Sequence, residues 1–478
     1  MNAPVPTPPP KRAEGPPGTR PRVCVIGAGI SGLVTLRALL EAGLDCTAFE
    51  LGSRVGGLWV YENDNGRSAA YRSLAINTSA RAMELTDFPW PAGTPDYPGH
   101  EQVASYFDAY AERFELTRHV RFRTEVEHCA PLEGGGYAVT LHSLAEGSRR
   151  TERFDAVVVA NGHHWAPSLP SPFPPGQFSG SILHSHAYRD PTTPLDLRQR
   201  RVLVVGIGNS AVDVACELAG PGAAAQVLLS TRRGAWVIPK YILGKPADQG
   251  TLVPHWLPAR LRRRIVTTLF RLWFGRMRDW GLPEPDHLIG EAHPTLSSNL
   301  PALVKAGSVG IRPAIERFEG ERVVFSDGRS DSIDAIVFAT GYRVELPFFE
   351  AEHIAAQGNE LPLFHRVFHP THRNAFFVGL AQTIGAIMPI AELQARWIVE
   401  HLSGRYSLPE APELDRQLAA QRRVVHERYV SSARHTMQID PPLYLRAVRA
   451  EMKRGSARAR RGQGQPFLLA SPGPAIPR

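Results

Sequence analysis

The chain has 478 residues, 43% of them hydrophobic and 21% charged, which fits a globular protein of two or three domains with a sizeable core. Its formal net charge of +8 reflects 54 Lys and Arg against 46 Asp and Glu; no basic stretch interleaves with aromatics as base-stacking surfaces do, so nucleic acid is not an expected partner and a polyanionic cofactor suits the sign. Four cysteines, Cys24, Cys46, Cys129 and Cys216, stand far apart with no CxxC or CxxxxC spacing, which excludes a redox-active disulfide and a cysteine zinc site and suits a reducing cytoplasm.

Residues 1–20 are proline-rich, carry no apolar run, and read as a disordered leader, not a signal peptide. The first strand signal ends in Val25-Ile26-Gly27-Ala28-Gly29-Ile30-Ser31-Gly32 and opens a stretch with helical spacing. In that context GxGxxG has a mechanical reading. Gly27 makes the tight turn, Gly29 lets backbone approach a pyrophosphate, and Gly32 lets helix pack on strand. Glu50 closes the next strand, 18 residues beyond Gly32, where a carboxylate bonds adenosine ribose hydroxyls and repels a 2′-phosphate. This site is expected to take FAD or NAD.

Another buried strand, Ala156-Val157-Val158-Val159, ends at Gly162, and a proline-rich run over residues 167–175 reads as a connection between domains. Fingerprint two follows: Val205-Gly206-Ile207-Gly208-Asn209-Ser210-Ala211. Its next strand ends in Ser230-Thr231-Arg232-Arg233, cations in place of the acid, which suits the 2′-phosphate of NADPH. Two dinucleotide sites in one chain imply electron transfer between them. Residues 260–280 read as a basic amphipathic helix; most such helices pack on their own protein, and peripheral membrane contact is the lesser reading. No apolar run approaches a membrane span. A last strand, Ile336-Val337-Phe338, ends in Ala339-Thr340-Gly341. The alternation of strand and helix predicts an α/β fold with two Rossmann-like domains, the NADP domain inserted into the FAD domain. The expected bounds are 21–165 and 333–450 for the FAD domain and 166–332 for the NADP domain, with an insertion at about 241–299. Residues 451–478, rich in Arg and Pro, are expected to be a disordered tail.

Phe178, Gly180, His184 and Tyr188 fit FxGxxxHxxxY just before the second fingerprint. Together with Gly56-Gly57-Leu58-Trp59, Tyr71-Arg72-Ser73-Leu74-Ala75-Ile76-Asn77-Thr78-Ser79, Ala339-Thr340-Gly341 and the segment from Gly385 to Trp397, this resembles the flavin-containing monooxygenases over residues 21–404. The resemblance implies FAD and NADPH as cofactors, O2 and a small amine or sulfide as substrates, and oxygenation through a C4a-hydroperoxyflavin. It implies Asn77 as the catalytic amide beside the flavin. It implies Ser31, Gly57, Leu58, Trp59 and Thr78 along the FAD, Ser210 and Ser230 with Arg232 at the NADPH, and Thr340 and Gly341 near the flavin; Gln382 is expected to line the pocket. His184 has a conformational role in this reading, and no residue is expected to hold a metal. Pro389 is expected to start a helix facing the flavin. Baeyer–Villiger monooxygenases share fold and cofactors, but their signature carries Trp where this chain has Tyr188. A ketone monooxygenase, an H2O2-forming NADPH oxidase and a nucleotide-binding sensor without turnover are the competing readings. Oligomeric state, a homodimer among the options, stays open.

Overall fold

The computed structural model describes residues 20–249, 253, 257–428 and 437–470; almost all of the expected leader lies outside the described residues. Strand β1 (Arg22–Ile26) leads into helix α1 (Ile30–Glu41) and strand β2 (Asp45–Phe49), followed by β3 (Val120–Arg121) and β4 (Ala156–Val159). Next come β5 (Ser181–His184), β6 (Arg201–Val205), α2 (Asn209–Leu218), β7 (Gln226–Ser230) and α3 (Ala259–Phe274). Strands β8 (Val309–Arg312) and β9 (Ala335–Phe338) precede β10 (Ala375–Phe377), α4 (Met388–Leu402), α5 (Ala411–Arg428) and α6 (Pro441–Arg460).

These strands form two parallel sheets, ordered β10-β4-β1-β2-β3 and β5-β9-β6-β7-β8. The second sheet is built wholly from residues between β4 and β10 of the first. Val23, Cys24 and Val25 of β1 are all fully buried, because helices or further strands cover both faces and every position needs an apolar side chain. Helix α1 packs between its sheet and α4, so Leu33, Leu36 and Leu39 are buried with it. In each sheet the strand order reverses beside the first glycine turn, between β1 and β4 and between β6 and β9. That is the topological switch point, where an open α/β sheet leaves a crevice at its carboxyl edge. The two crossings between the units pair with each other: Ala166–Pro167 runs antiparallel to Tyr342–Arg343.

The expectation of a disordered tail from residue 451 is corrected by α6, which runs to Arg460, and by ordered chain to residue 470. Composition counted the arginines but not their acid. Glu451 is fully buried, accepts from Arg454 Nε at 2.9 Å and the Tyr406 hydroxyl at 3.1 Å, and pairs with Arg458. Gly455 lets the Tyr406 ring lie against the helix, since a Cβ there would come within 1.9 Å of it. Beyond the helix, Gln465 exchanges backbone hydrogen bonds with Leu408. Residues 471–478 lie outside the described residues. Among the described residues no helix is long and apolar enough to cross a membrane.

Candidate active site

Gly27 has φ +99°, and a Cβ there would meet the Ala160 carbonyl oxygen at 2.8 Å. Gly206 repeats both features, with φ +133° and the Ala339 oxygen at 2.6 Å. Only glycine takes this left-handed turn at such close approach. The turns aim the N-termini of α1 and α2 at the crevice, and neither N-cap, Gly29 or Gly208, supplies a side-chain cap. Unpaired N–H groups at a helix start favour an anion. Gly29 also faces Gly57: a Cβ on Gly57 would lie 3.2 Å from Gly29 Cα.

Glu50 is buried at the end of β2. Its Oε2 accepts the Ala28 N–H at 2.8 Å, and Oε1 accepts the Gly52 N–H at 2.9 Å and Asn65 Nδ2 at 3.3 Å. The carboxylate therefore fixes the first turn and keeps lone pairs for a hydroxyl, since two oxygens offer about four acceptor sites. At the second site the two cations separate. Arg233 bonds Asp286 Oδ2 through Nε at 3.0 Å and Nη2 at 2.6 Å. Arg232 is exposed on the cavity wall with no partner among the described residues.

Both turns open onto one cavity of about 1670 Å³, beyond the roughly 300–1,000 Å³ of a site for one drug-sized molecule. Its wall carries Gly27, Gly29, Ser31, Glu50, Gly57, Leu58 and Trp59 from the first unit, with Asn77 and Thr78. Gly206, Gly208, Asn209, Ser210, Ser230 and Arg232 come from the second. Thr340, Gly341 and Gln382 line it too. Gly32 does not; it packs beneath the turn, where a Cβ would strike the Gly27 oxygen. Ile387, the N-cap of α4, stands on the same wall, with Pro389 in the first turn of that helix.

Three of these side chains are committed to the frame. Asn209 Oδ1 accepts the Leu296 N–H at 2.8 Å, Ser230 Oγ donates to Pro313 O at 2.7 Å, and Thr340 Oγ1 donates to Ser168 O at 2.5 Å. Asn77 is different. Its Oδ1 is buried with no hydrogen-bond partner, a state costing about 1–3 kcal/mol unless a ligand donates to it. His184 Nδ1 accepts the His186 N–H at 3.1 Å. Burial, then the neighbouring His186, pull the His184 pKa down to about 4, so it is neutral at pH 7 and unsuited to donate a proton. Tyr188 is fully buried and donates to Glu217 Oε2 at 2.8 Å. The sequence reading missed the bond from the Tyr71 hydroxyl to Asp213 Oδ2 at 2.6 Å; with 142 residues between the partners, no local pattern announces it.

The family model for flavin-binding monooxygenase-like proteins matches residues 20–454. The chain belongs to this family. It is 34% identical over 449 residues to flavin-containing monooxygenase 5 of Homo sapiens, covering 88% of this chain and 81% of the relative. Dimethylaniline monooxygenase [N-oxide-forming] 2 of Oryctolagus cuniculus is 34% identical over 81% of this chain and 74% of its own length. The solved S-allyl-L-cysteine S-oxygenase of Allium sativum superposes with a TM-score of 0.67 at 25% identity, covering 93% of this chain and 94% of that one.

This family member is an NADPH-dependent flavin monooxygenase with FAD and NADPH as cofactors. The residues present fit both groups: two uncapped helix starts behind glycine turns, a buried carboxylate at one strand end, an unpaired guanidinium at the other, and an orphaned amide oxygen on the same cavity wall.

Proposed function

We propose that this enzyme oxygenates the nitrogen of a small amine or the sulfur of a sulfide, with Asn77 as the amide that orients the reacting groups. The single observation that carries the reading is that both dinucleotide turns open on one cavity, with the unpartnered Asn77 Oδ1 on its wall. The first unit, residues 21–165 and 333–450, holds FAD along the Gly27 turn, Glu50 and the Gly57–Trp59 turn. The second, residues 166–332, holds NADPH on the Gly206 turn with its 2′-phosphate at Arg232. Bound FAD and NADPH supply the hydride transfer and oxygen activation. The chain's own work is to bind, orient and exclude water.

Asn77 Oδ1, buried without a partner, would accept an N–H from a bound group inside a site of low dielectric, where one such bond fixes geometry. Tyr188 in place of the Trp of ketone-oxygenating relatives supports heteroatom oxygenation, as do the N-oxide-forming and S-oxygenating relatives. Four free cysteines support a cytoplasmic location.

The test is incubation of the FAD-loaded enzyme with NADPH and O2 in the presence of trimethylamine, a thioether or cyclohexanone, with products read by mass. An N-oxide or sulfoxide is the expected product; an ester from the ketone alone overturns the reading. Asn77→Ala should keep flavin reduction by NADPH while most consumed oxygen leaves as H2O2. Unchanged yield of oxygenated product would remove Asn77 from its role.

A further inference from the structure

Asn77 belongs to the first unit, yet the segment that carries it, residues 71–79, is tied at both ends to the second. At the start, Tyr71 donates to Asp213 Oδ2 at 2.6 Å, and Asp213 lies one turn into α2. The Arg72 N–H donates to the Arg189 carbonyl at 2.7 Å. At the end, the Ser79 N–H donates to Asp248 Oδ2 at 2.7 Å, and Gln249 Nε2 donates to Ser79 Oγ at 3.0 Å. Asp248 and Gln249 follow a hairpin that pairs Tyr241–Ile242 with Lys245–Pro246. Tyr97 of the first unit fixes the base of that hairpin by donating to Lys240 O at 2.6 Å.

Ser79 is fully buried and is the N-cap of the short helix Ala80–Met83. A buried amide needs an acceptor, and this one takes a carboxylate 169 residues away where a local turn would ordinarily serve. Asp248 itself is exposed, so removing its side chain deletes the bond without opening a core cavity.

We propose that Asp248 is a positioning residue for Asn77: by holding the Ser79 amide two residues downstream, it makes the Asn77 turn follow the hairpin of the second unit. This deepens the proposed function and rests on the reading that Asn77 faces the flavin. A shift of the hairpin then changes where Oδ1 points without touching the FAD sheet.

The test compares Asp248→Ala, Asp248→Asn and Asn77→Ala in the full-length chain. Without cofactor, hydrogen exchange of a peptide spanning residues 76–83 should speed up about fivefold in Asp248→Ala, the change in opening ratio from losing one partly solvated hydrogen bond. Asp248→Asn, whose amide oxygen can accept the same N–H, should restore slow exchange. With FAD bound and NADPH saturating, Asp248→Ala should keep the anaerobic rate of flavin reduction, while the share of NADPH ending as H2O2 rises about fivefold. Unchanged exchange in Asp248→Ala overturns the proposal, as does tight coupling there when Asn77→Ala uncouples. Coupling left intact by Asn77→Ala shows instead that the reading of Asn77 has failed. Should Asp248→Ala not fold, Ser79→Pro deletes the donor at a residue whose φ of −60° proline accepts, and the same H2O2 share decides.

Discussion

Arg232 and Arg233 are neighbours in sequence with different surroundings, and the difference is made by Asp286. Arg233 spends its guanidinium on that carboxylate, while Arg232 faces the cavity with no partner among the described residues. Arg232→Ala should therefore raise the KM for NADPH by about 10- to 100-fold, the loss of one charge-assisted phosphate contact of about 1.5–3 kcal/mol. The KM for NADH should barely move. Arg233→Ala should change either constant less than threefold, roughly what an exposed ion pair contributes. Steady-state kinetics with both cofactors checks the pair, and equal effects of Arg232→Ala on NADPH and NADH would refute the assignment. The placement of Gly27, Gly29, Gly206, Gly208, Glu50 and Asn77 on one cavity wall was legible because the signals are local: a turn, a strand end, a motif. The frame roles of Asn209, Ser230 and Thr340 were not, since their partners Leu296, Pro313 and Ser168 lie 87, 83 and 172 residues away. The type of side chain could be read, but the direction in which it is spent could not.

At the scale of elements, the buried strands were legible for the same reason. Val23-Cys24-Val25 and Val202-Leu203-Val204 are unbroken apolar runs, and a parallel sheet covered on both faces demands such runs. Helix α6 was not, because Lys453-Arg454 and the four arginines from Arg458 on read as a solvated tail until Glu451 is seen beneath them. That carboxylate is fully buried and organises Arg454, Arg458 and Tyr406. Glu451→Ala leaves the half-buried Arg458 guanidinium with the Ser407 carbonyl alone and deprives the buried Tyr406 phenol of its acceptor. We expect it to destabilise the fold by about 2–4 kcal/mol, with Glu451→Gln costing less because an amide oxygen can still accept from Tyr406. Urea unfolding of the three proteins reads the difference. A wild-type midpoint for Glu451→Ala would mean that α6 is held by its apolar face alone, through Tyr444 and Val448.

Across the whole molecule, burial lowers the pKa of several histidines, which couples stability to pH. His401, enclosed by Phe368, Phe376, Tyr406 and Phe467, is pulled down to about 4 by burial. His369 is pulled to about 4 by burial and then by His372, and His184, at the end of β5, to about 4 as well by burial and then by His186. Each is neutral in the folded protein and titrates near pH 6.5 once unfolded. The unfolded chain therefore binds more protons below that value. The stability contributed by the neutral form is full above about pH 6.5 and is lost as pH falls towards 4. Glu152 acts in a separate window: burial would raise it, but Arg150, Arg22 and Arg121 hold it at about 2, so its contribution fades only below the ordinary carboxylate range. Asp213 runs the other way, raised chiefly by burial, and a comparison with a histidine variant cancels it. Urea unfolding at pH 7 and pH 5 should show the wild type losing stability, and His401→Gln should shrink that loss by about 1–2 kcal/mol. An unchanged loss would mean that the core around His401 opens to admit the proton. The segment after α6, whose Phe467 packs on that ring, would then be the part that yields first.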